Sequence, residues 1–337
     1  LMFFCRQMAT MLQAGVPILK ALKIIAGQTR NRVFSRTILQ AAQNLEEGSS
    51  LSNALRNVPL LFPPLLINMV AAGERSGQLD TAMDNLANHY EKQHDLEEKI
   101  RSATTYPLFI VVTAIILLAI MILFVLPRFG GIFDSLGLEL PFLSRLILNL
   151  KDIFSEHVLF LLASVTCAAI LLYRFLTTER GRLLKDKLRF RFPFFGSLYT
   201  QITAARFART LGTMLSSGIP LYDALTLSGR VVGNRAFAQE IEKIKAAISH
   251  GESVTPAIRQ AKYLPALLGE MVSIGEESGE LDTTLSKTAD YYEKETSYKV
   301  ERLSTLLEPL LLIIVGLVVG LLVFSILSPM YQIFEII

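Results

Sequence analysis

Tryptophan is absent from this chain of 337 residues, and cysteine occurs only twice, as Cys5 and Cys167. Two cysteines, one of them inside a long apolar run, cannot form a disulfide framework, so we expect both thiols to be reduced. Charged residues are also scarce, at 19% against 51% hydrophobic ones, and the formal net charge is only +3. No basic patch with interleaved aromatic residues occurs, which argues against nucleic acid as a partner.

The motifs of several common catalytic and cofactor sites are missing as well. The chain has neither the G-x-x-x-x-G-K-[ST] phosphate loop nor the H-E-x-x-H zinc motif. His89 and His94 are five residues apart, a spacing that puts them on different faces of a helix rather than in one metal site. We therefore predict no catalytic residue, no metal site and no cofactor, and we do not expect an enzyme.

Three long apolar stretches dominate the sequence instead. Residues 107–126 and 309–327 contain no charged residue, and residues 158–176 contain only Arg174. Each is about as long as the ~20 residues that a membrane-spanning helix needs, and a buried core helix is the alternative. We predict an integral membrane protein whose transmembrane helices lie at 107–127, 158–176 and 309–328.

The chain also repeats itself at a nearly constant offset. The segment MLQAGVPILKAL (11–22) aligns with MLSSGIPLYDAL (214–225) at an offset of 203 residues. After one deleted residue the offset becomes 202, and GERSGQLD (73–80) then falls on GEESGELD (275–282). The prolines that open the first and the last apolar stretch align too. The repeated unit is therefore a helical domain followed by a membrane helix.

Both copies read as helical. Apolar residues recur at helical spacing, and no segment shows the strict alternation of a half-buried strand. Residues 78–107, for example, read as a long amphipathic helix that leads into the first apolar stretch. We predict an all-α fold with two homologous six-helix bundles, at 1–106 and 177–308.

The orientation in the membrane follows from the repeat and from charge. Two copies on one side need a return helix between them, which the second apolar stretch supplies. Lys and Arg number eleven in residues 1–106 and nineteen in residues 174–309, but only three between these segments and none after them. Since positive residues stay in the cytoplasm, we predict two cytoplasmic bundles, a periplasmic loop at 128–157 and a periplasmic tail at 329–337.

A dense group of basic residues follows the second apolar stretch. It is the strongest part of the orientation signal, and fixing topology is its simplest interpretation. The alternative is binding of anionic lipid or of an acidic partner surface. The group consists of Arg174, Arg180, Arg182, Lys185, Lys187, Arg189 and Arg191.

The repeated octapeptide predicts a corner between two helices. Its second glycine suits the left-handed residue that ends one helix, and its serine suits the turn. Its leucine begins the apolar stripe of the next helix, and its aspartate lies in the first turn, where the helix dipole favours an acid. The residues are Gly73, Glu74, Ser76, Gly77, Leu79 and Asp80 in one copy, and Gly275, Glu276, Ser278, Gly279, Leu281 and Asp282 in the other.

The glutamates of the octapeptide break a local rule in both copies. Glu74 and Glu276 fall in the last turn of the preceding helix, where the dipole disfavours an acid. A rule broken twice in the same way marks either function or a compensating contact. Two interpretations remain open: a salt bridge to a neighbouring helix, or a contact with a partner protein.

The last apolar stretch contains the sequence GLVVG, with Gly316 and Gly320. A G-x-x-x-G spacing lets two membrane helices approach closely. The partner helix is either another span of the same chain or the same helix of a second copy.

Taken in order, these motifs resemble those of the type II secretion system F protein family. They are the two GE-x-SG-x-LD phrases, the AG-x-P and SG-x-P turns, the Y-P and E-P entries into the apolar stretches and a P-x-F after the first one. The resemblance covers nearly the whole chain. Family members usually have several dozen residues before the first repeat, whereas Leu1 here aligns with Ala204 near the start of the second.

The resemblance implies an inner-membrane platform for type II secretion or type IV pilus assembly. Implied partners are a hexameric cytoplasmic ATPase, pilin or pseudopilin subunits, other inner-membrane platform proteins and further copies of the chain. It implies no catalytic residue. The main rival interpretation is a transporter or channel component, although the first and last apolar stretches lack the intramembrane polar groups that transporters use. A membrane-anchored sensor comes third.

Overall fold

The computed structural model describes residues 1–57, 61–120, 124, 158–193 and 195–336. These residues form fourteen helices and contain no strand, so the predicted all-α class is confirmed for the described part of the chain. The predicted loop at 128–157 lies outside the described residues, and so do residues 121–123 and 125–127 of the first predicted span.

In the described residues the first copy forms six helices. A proline or an asparagine comes directly before several of these helices: Pro17 precedes α2, and the Asn31 Oδ1 atom accepts hydrogen bonds from two backbone amides at the start of α3. The helices are α1 (Met2–Gln13), α2 (Ile18–Gln28), α3 (Arg32–Glu46), α4 (Leu51–Arg56), α5 (Pro64–Ser76) and α6 (Leu79–Ile120).

The second copy repeats this order after two further helices. Asn234 caps α11 as its counterpart caps α3, by accepting a hydrogen bond from the Phe237 amide at 2.9 Å. The helices are α7 (Val158–Thr177), α8 (Glu179–Arg191), α9 (Phe195–Ser216), α10 (Leu221–Val231), α11 (Arg235–Ser249), α12 (Val254–Arg259), α13 (Ala266–Ser278) and α14 (Leu281–Ile336).

One compact unit contains Leu1–Lys99 and Arg182–Tyr298 and thus holds helices of both copies. Matching aromatic pairs lie in its core. The ring of Phe4 lies 6.0 Å from that of Phe34, and the ring of Phe207 lies 5.4 Å from that of Phe237, both pairs edge to face. The two segments of this unit end at Lys99 and Tyr298, before residues 106 and 308, at which the sequence predicts that the two bundles end. The division into two separate bundles stays a prediction.

A second unit contains Ile100–Gly181 and Lys299–Ile337. Large apolar side chains are exposed along its helices, among them Leu108, Phe109 and Ile115 of α6. Among the described residues, only the helix Leu79–Ile120 satisfies the length and apolar composition of a membrane crossing. The predicted spans 158–176 and 309–328 are helical, as α7 and part of α14, and their crossing of a membrane stays a prediction.

Pro107 does not interrupt α6, although it opens the apolar stretch. A proline inside a helix has no N–H, so the carbonyl four residues earlier loses its usual donor. That carbonyl belongs to Ala103, and the hydroxyl of Ser304 donates a hydrogen bond to it at 2.8 Å. A side chain of α14 thus supplies the missing donor, which lets one helix run on through the proline.

Candidate functional site

Each repeated octapeptide forms a tight corner that ends with a left-handed glycine. Gly77 follows α5 with φ 70° and ψ 14°, and Gly279 follows α13 with φ 73° and ψ 7°. In the first copy the amide of Gln78 donates to the Gly73 carbonyl at 2.9 Å, which closes the helix end. Because side chains with a β-carbon rarely adopt this conformation, the predicted cap role of both glycines is confirmed.

The first glycine of each phrase has a second role, which the sequence did not reveal. A β-carbon on Gly73 would lie 2.7 Å from the Cβ of Ala82, and one on Gly275 would lie 2.9 Å from the Cα of Leu281. Neither distance is compatible with normal packing. These glycines therefore allow the two helices of each corner to approach each other closely.

The serine, leucine and aspartate of the phrases lie at the two helix ends that each corner joins. The hydroxyl of Ser76 donates to the carbonyl of Ala72 at 3.0 Å, and that of Ser278 accepts from the Glu280 amide at 3.4 Å. Leu79 and Leu281 are the first residues of α6 and α14 and pack against the core. Asp80 and Asp282 lie in the first turns of these helices, as predicted.

Glu74 caps a helix other than its own. Its Oε1 accepts a hydrogen bond from the Leu51 amide at 2.5 Å, and its Oε2 accepts from the amide and the hydroxyl of Ser52 at 3.2 and 2.6 Å. These amides open the short helix α4, where backbone N–H groups lack partners within the helix and the dipole attracts negative charge. The carboxylate that sits unfavourably at the end of α5 is therefore favourably placed at the start of α4.

Glu276 repeats this arrangement at the start of α12. Its carboxylate accepts from the amides of Val254 and Thr255 at 3.0 Å each, and from the hydroxyls of Ser253 and Thr255 at 2.8 and 2.6 Å. Burial acts to raise the pKa of Glu276, but these hydrogen bonds outweigh burial, and the pKa is lowered.

This geometry corrects the salt-bridge interpretation of the two glutamates. In the described part of the chain their carboxylates bind amides and hydroxyls rather than a cation. The compensating contact is thus a helix cap from a neighbouring helix. Glu74 is half-buried and Glu276 exposed, and a partner contact at these residues stays a prediction.

A second feature occurs in both copies and was not predicted from the sequence: an arginine that is bound by two carboxylates. Arg6 of α1 donates to both oxygens of Glu91, at 2.7 and 2.5 Å, and to Asp84 at 2.6 Å. Hydrogen bonding to the guanidinium lowers the pKa of Glu91. The signal that could have revealed this cluster is the alignment of Glu91 with Glu293 in the repeated YEK triplet, together with an arginine at the offset of 203.

The second copy holds the equivalent arginine more deeply. Arg209 of α9 donates to both oxygens of Glu293, at 3.0 and 2.8 Å, and to Asp290 at 2.5 Å. Its side chain is 14% exposed, against 36% for that of Arg6. Each arginine links the first helix of its copy to the long last helix. The two copies therefore contain the same ion-pair cluster, which is more deeply buried in the second copy.

Polar contacts also join the two copies inside the compact unit. Asn85 of α6 donates to the Ser217 hydroxyl at 3.1 Å, and Arg206 of α9 donates to Glu97 at 3.2 Å. His89 lies beside Arg206 in a small pocket and is only 4% exposed. Burial, with a smaller contribution from the charge of Arg209, lowers the pKa of His89 to about 4. The imidazole is therefore neutral at neutral pH.

The described residues show no metal site. They contain no group of three or more His, Cys, Asp or Glu side chains that could hold an ion. His94 is exposed and His89 buried, so the two histidines lie on different faces as predicted. The contacts of the two glutamates and the two arginines hold neighbouring helices together, the glutamates as helix caps and the arginines as ion pairs.

Gly316 and Gly320 lie exposed on α14. Apart from the adjoining residues of α14 itself, no described atom comes within 4 Å of a β-carbon built on either glycine. Within the described residues, the close approach to another span of the same chain is therefore not formed, and a contact with a second copy stays a prediction.

Comparison with known proteins gives matches over both copies. A family model described as type II secretion system protein F matches residues 4–127 and 207–329. The type IV pilus assembly protein PilC of Thermus thermophilus is 38% identical over 335 residues, which cover 99% of this chain and 82% of that protein. PilC of Pseudomonas aeruginosa is 36% identical over 330 residues, covering 98% and 88%. The type II secretion system protein F of Xanthomonas campestris pv. campestris is 31% identical over 329 residues, covering 98% and 81%.

Proposed function

Because the chain belongs to the type II secretion system protein F family, we propose that it is an inner-membrane assembly platform of a type IV pilus or type II secretion machine. The names of its relatives support both kinds of machine. The observation that supports the platform role is the continuity of α6, which runs for 42 residues from the repeated corner into the apolar stretch. A movement of the corner would reach the membrane along one helix.

We propose three membrane spans, at 107–127, 158–176 and 309–328. The second and third are helical in the described residues, and both copies carry most of the basic residues. In this topology residues 1–106 and 177–308 lie in the cytoplasm, and the segment 128–157 and the tail 329–337 lie in the periplasm.

The partners of this platform are proposed from its chemistry and its family. A hexameric cytoplasmic ATPase would supply the work, and pilin or pseudopilin subunits in the membrane would receive it. Other inner-membrane platform proteins and further copies of the chain complete the assembly. The chain acts in this proposal by transmitting movement and supplies no catalytic residue of its own.

A transporter or channel component is the alternative function. Transporters bind substrate near the middle of the membrane through polar or charged groups. The residues of α6 after Pro107, up to Ile120, carry no charged side chain. This composition favours the platform over the transporter.

Deleting the gene in its own host tests the proposal. We expect surface filaments, or secretion of the machine's substrates, to be lost while the levels of ATPase and pilin or pseudopilin in the cell stay normal. Expression of the intact chain from a plasmid should restore assembly. Normal filaments and normal secretion in the deletion strain would reject the platform role.

A further inference from the structure

Helix α8 is fixed to the second copy by one of its faces. The Oδ2 atom of Asp186 accepts a hydrogen bond from the Arg235 amide at 2.9 Å, and its backbone carbonyl accepts from the Asn234 side chain at 3.3 Å. The ring of Phe190 stacks on that of Tyr263 with centroids 4.4 Å apart. These contacts leave the opposite face of α8 turned away from the bundle.

That opposite face is apolar and uncovered in the described structure. Leu184 and Leu188 are one helical turn apart, and the amide of Phe192, just past the end of α8, donates to the Leu188 carbonyl at 3.0 Å. Phe195 follows as the first residue of α9. All four are between 49% and 59% exposed, and the two phenylalanine rings lie 6.1 Å apart. We call these four residues the apolar stripe.

Cations flank the apolar stripe on both sides. Six basic side chains of α8 are exposed, and the acidic Asp186 is turned into the bundle. Among the described residues only one of the six, Arg189, forms an ion pair, at 3.8 Å from Asp186. The six residues are Arg180, Arg182, Lys185, Lys187, Arg189 and Arg191.

We propose that the apolar stripe and its flanking cations rest on an anionic lipid bilayer. An apolar line bordered by exposed cations matches the boundary between acyl chains and negatively charged headgroups. The position in the chain agrees, because α8 begins two residues after Thr177, the end of the apolar helix α7. The last turn of α7 exposes Tyr173 and Arg174, a pair typical of the membrane–water interface.

This surface goes beyond the platform function and does not depend on it. It would hold the second copy against the membrane at a fixed height in any machine that uses the chain. Its anchoring contacts link that position to the rest of the copy, through Asp186 at the start of α11 and through Phe190 at Tyr263.

The absence of tryptophan allows a direct test. The full chain with Phe192→Trp is placed in lipid nanodiscs that contain anionic lipids with brominated acyl chains, and quenching of tryptophan fluorescence is measured. The matched control is Phe190→Trp, two residues away on the bundle-facing side of the same helix. Since a helix is about 10 Å wide, we expect quenching at position 192 to exceed that at position 190 by about twofold or more.

A second pair of variants tests the role of charge. Neutralising Lys185, Lys187, Arg189 and Arg191 to glutamine should reduce quenching at position 192, and so should zwitterionic nanodiscs. Neutralising Lys20, Arg30, Arg32 and Arg36, which are exposed in the first copy, should leave it unchanged. Equal quenching at positions 190 and 192 would overturn the proposal. The proposal would also be overturned if the fluorescence of Trp at position 192 changed only when several copies share one nanodisc, because a second copy would then cover the apolar stripe.

Discussion

Replacing Arg209 with methionine should lower the free energy of unfolding of the compact unit by about 3 kcal/mol, because it leaves the largely buried carboxylate of Glu293 without its cation and removes one of the two cations beside Asp290. Methionine keeps most of the apolar stem of arginine, so the loss reports mainly on the charge. Glu293 is only 16% exposed and lies in the same pocket as His89, so water replaces the guanidinium poorly.

The duplicated arginine supplies a matched control. Arg6→Met removes the same pair of interactions at side chains that are about one-third exposed, where an ion pair contributes about 1 kcal/mol or less. Chemical denaturation of the full chain in detergent, followed by circular dichroism, measures both variants. Equal losses for the two variants would show that burial does not set the strength of this ion-pair cluster.

Replacing Glu74 and Glu276 together with glutamine should also destabilise the compact unit, by about 2–4 kcal/mol. Each glutamate accepts hydrogen bonds from backbone amides as a charged group, and the net contribution of such a bond is about 1.5–3 kcal/mol, part of which the carbonyl oxygen of glutamine keeps. A glutamine presents an NH₂ group toward amides that are themselves donors. The effects of the two single variants should add, because the two carboxylates share no partner.

Glu277→Gln is the control for Glu276→Gln. Glu277 is the next residue, is exposed, and accepts one hydrogen bond from Ser273 of its own helix at 3.2 Å. We expect its replacement to change the free energy of unfolding by less than about 0.5 kcal/mol. If Glu74→Gln and Glu276→Gln each unfolded like the wild-type chain, the caps would contribute nothing to stability. A partner contact would then be the better explanation of the repeated glutamate.

The contribution of Glu276 should depend on pH. Its pKa in the folded chain is lowered below the ordinary value of 4.5, so the unfolded chain binds a proton first as the pH falls. The stabilisation from Glu276 is therefore complete above pH 4.5 and is lost as the pH falls through the lowered pKa. The Glu276→Gln variant should lack this part of the acid dependence.

The repeat made the corner largely predictable. The left-handed cap at Gly77 and the acid in the first turn of the next helix follow from local rules that involve only neighbouring residues. Comparison of two copies also showed that the glutamate was placed against those rules. Sequence alone could raise the question of the glutamate but could not answer it.

The answers lay in contacts between residues far apart in the chain. Glu74 reaches α4 across more than twenty residues, and Arg6 reaches Glu91 across 85. Helical periodicity says which residues share a face, but it does not say which helices are neighbours. The close approach of the two helices at Gly73 could not be predicted either, because the sequence does not distinguish a glycine packed between helices from a glycine in a turn.

Purification of the tagged full chain from the membranes of its own host, with identification of the cytoplasmic proteins that remain bound, tests the platform function most directly. The control is an unrelated inner-membrane protein with the same tag, expressed at the same level. We predict that a hexameric secretion or pilus ATPase is retained by the chain and not by the control, together with pilin or pseudopilin subunits. Retention of solute-binding or channel subunits, with no ATPase of this kind, would contradict the assembly platform.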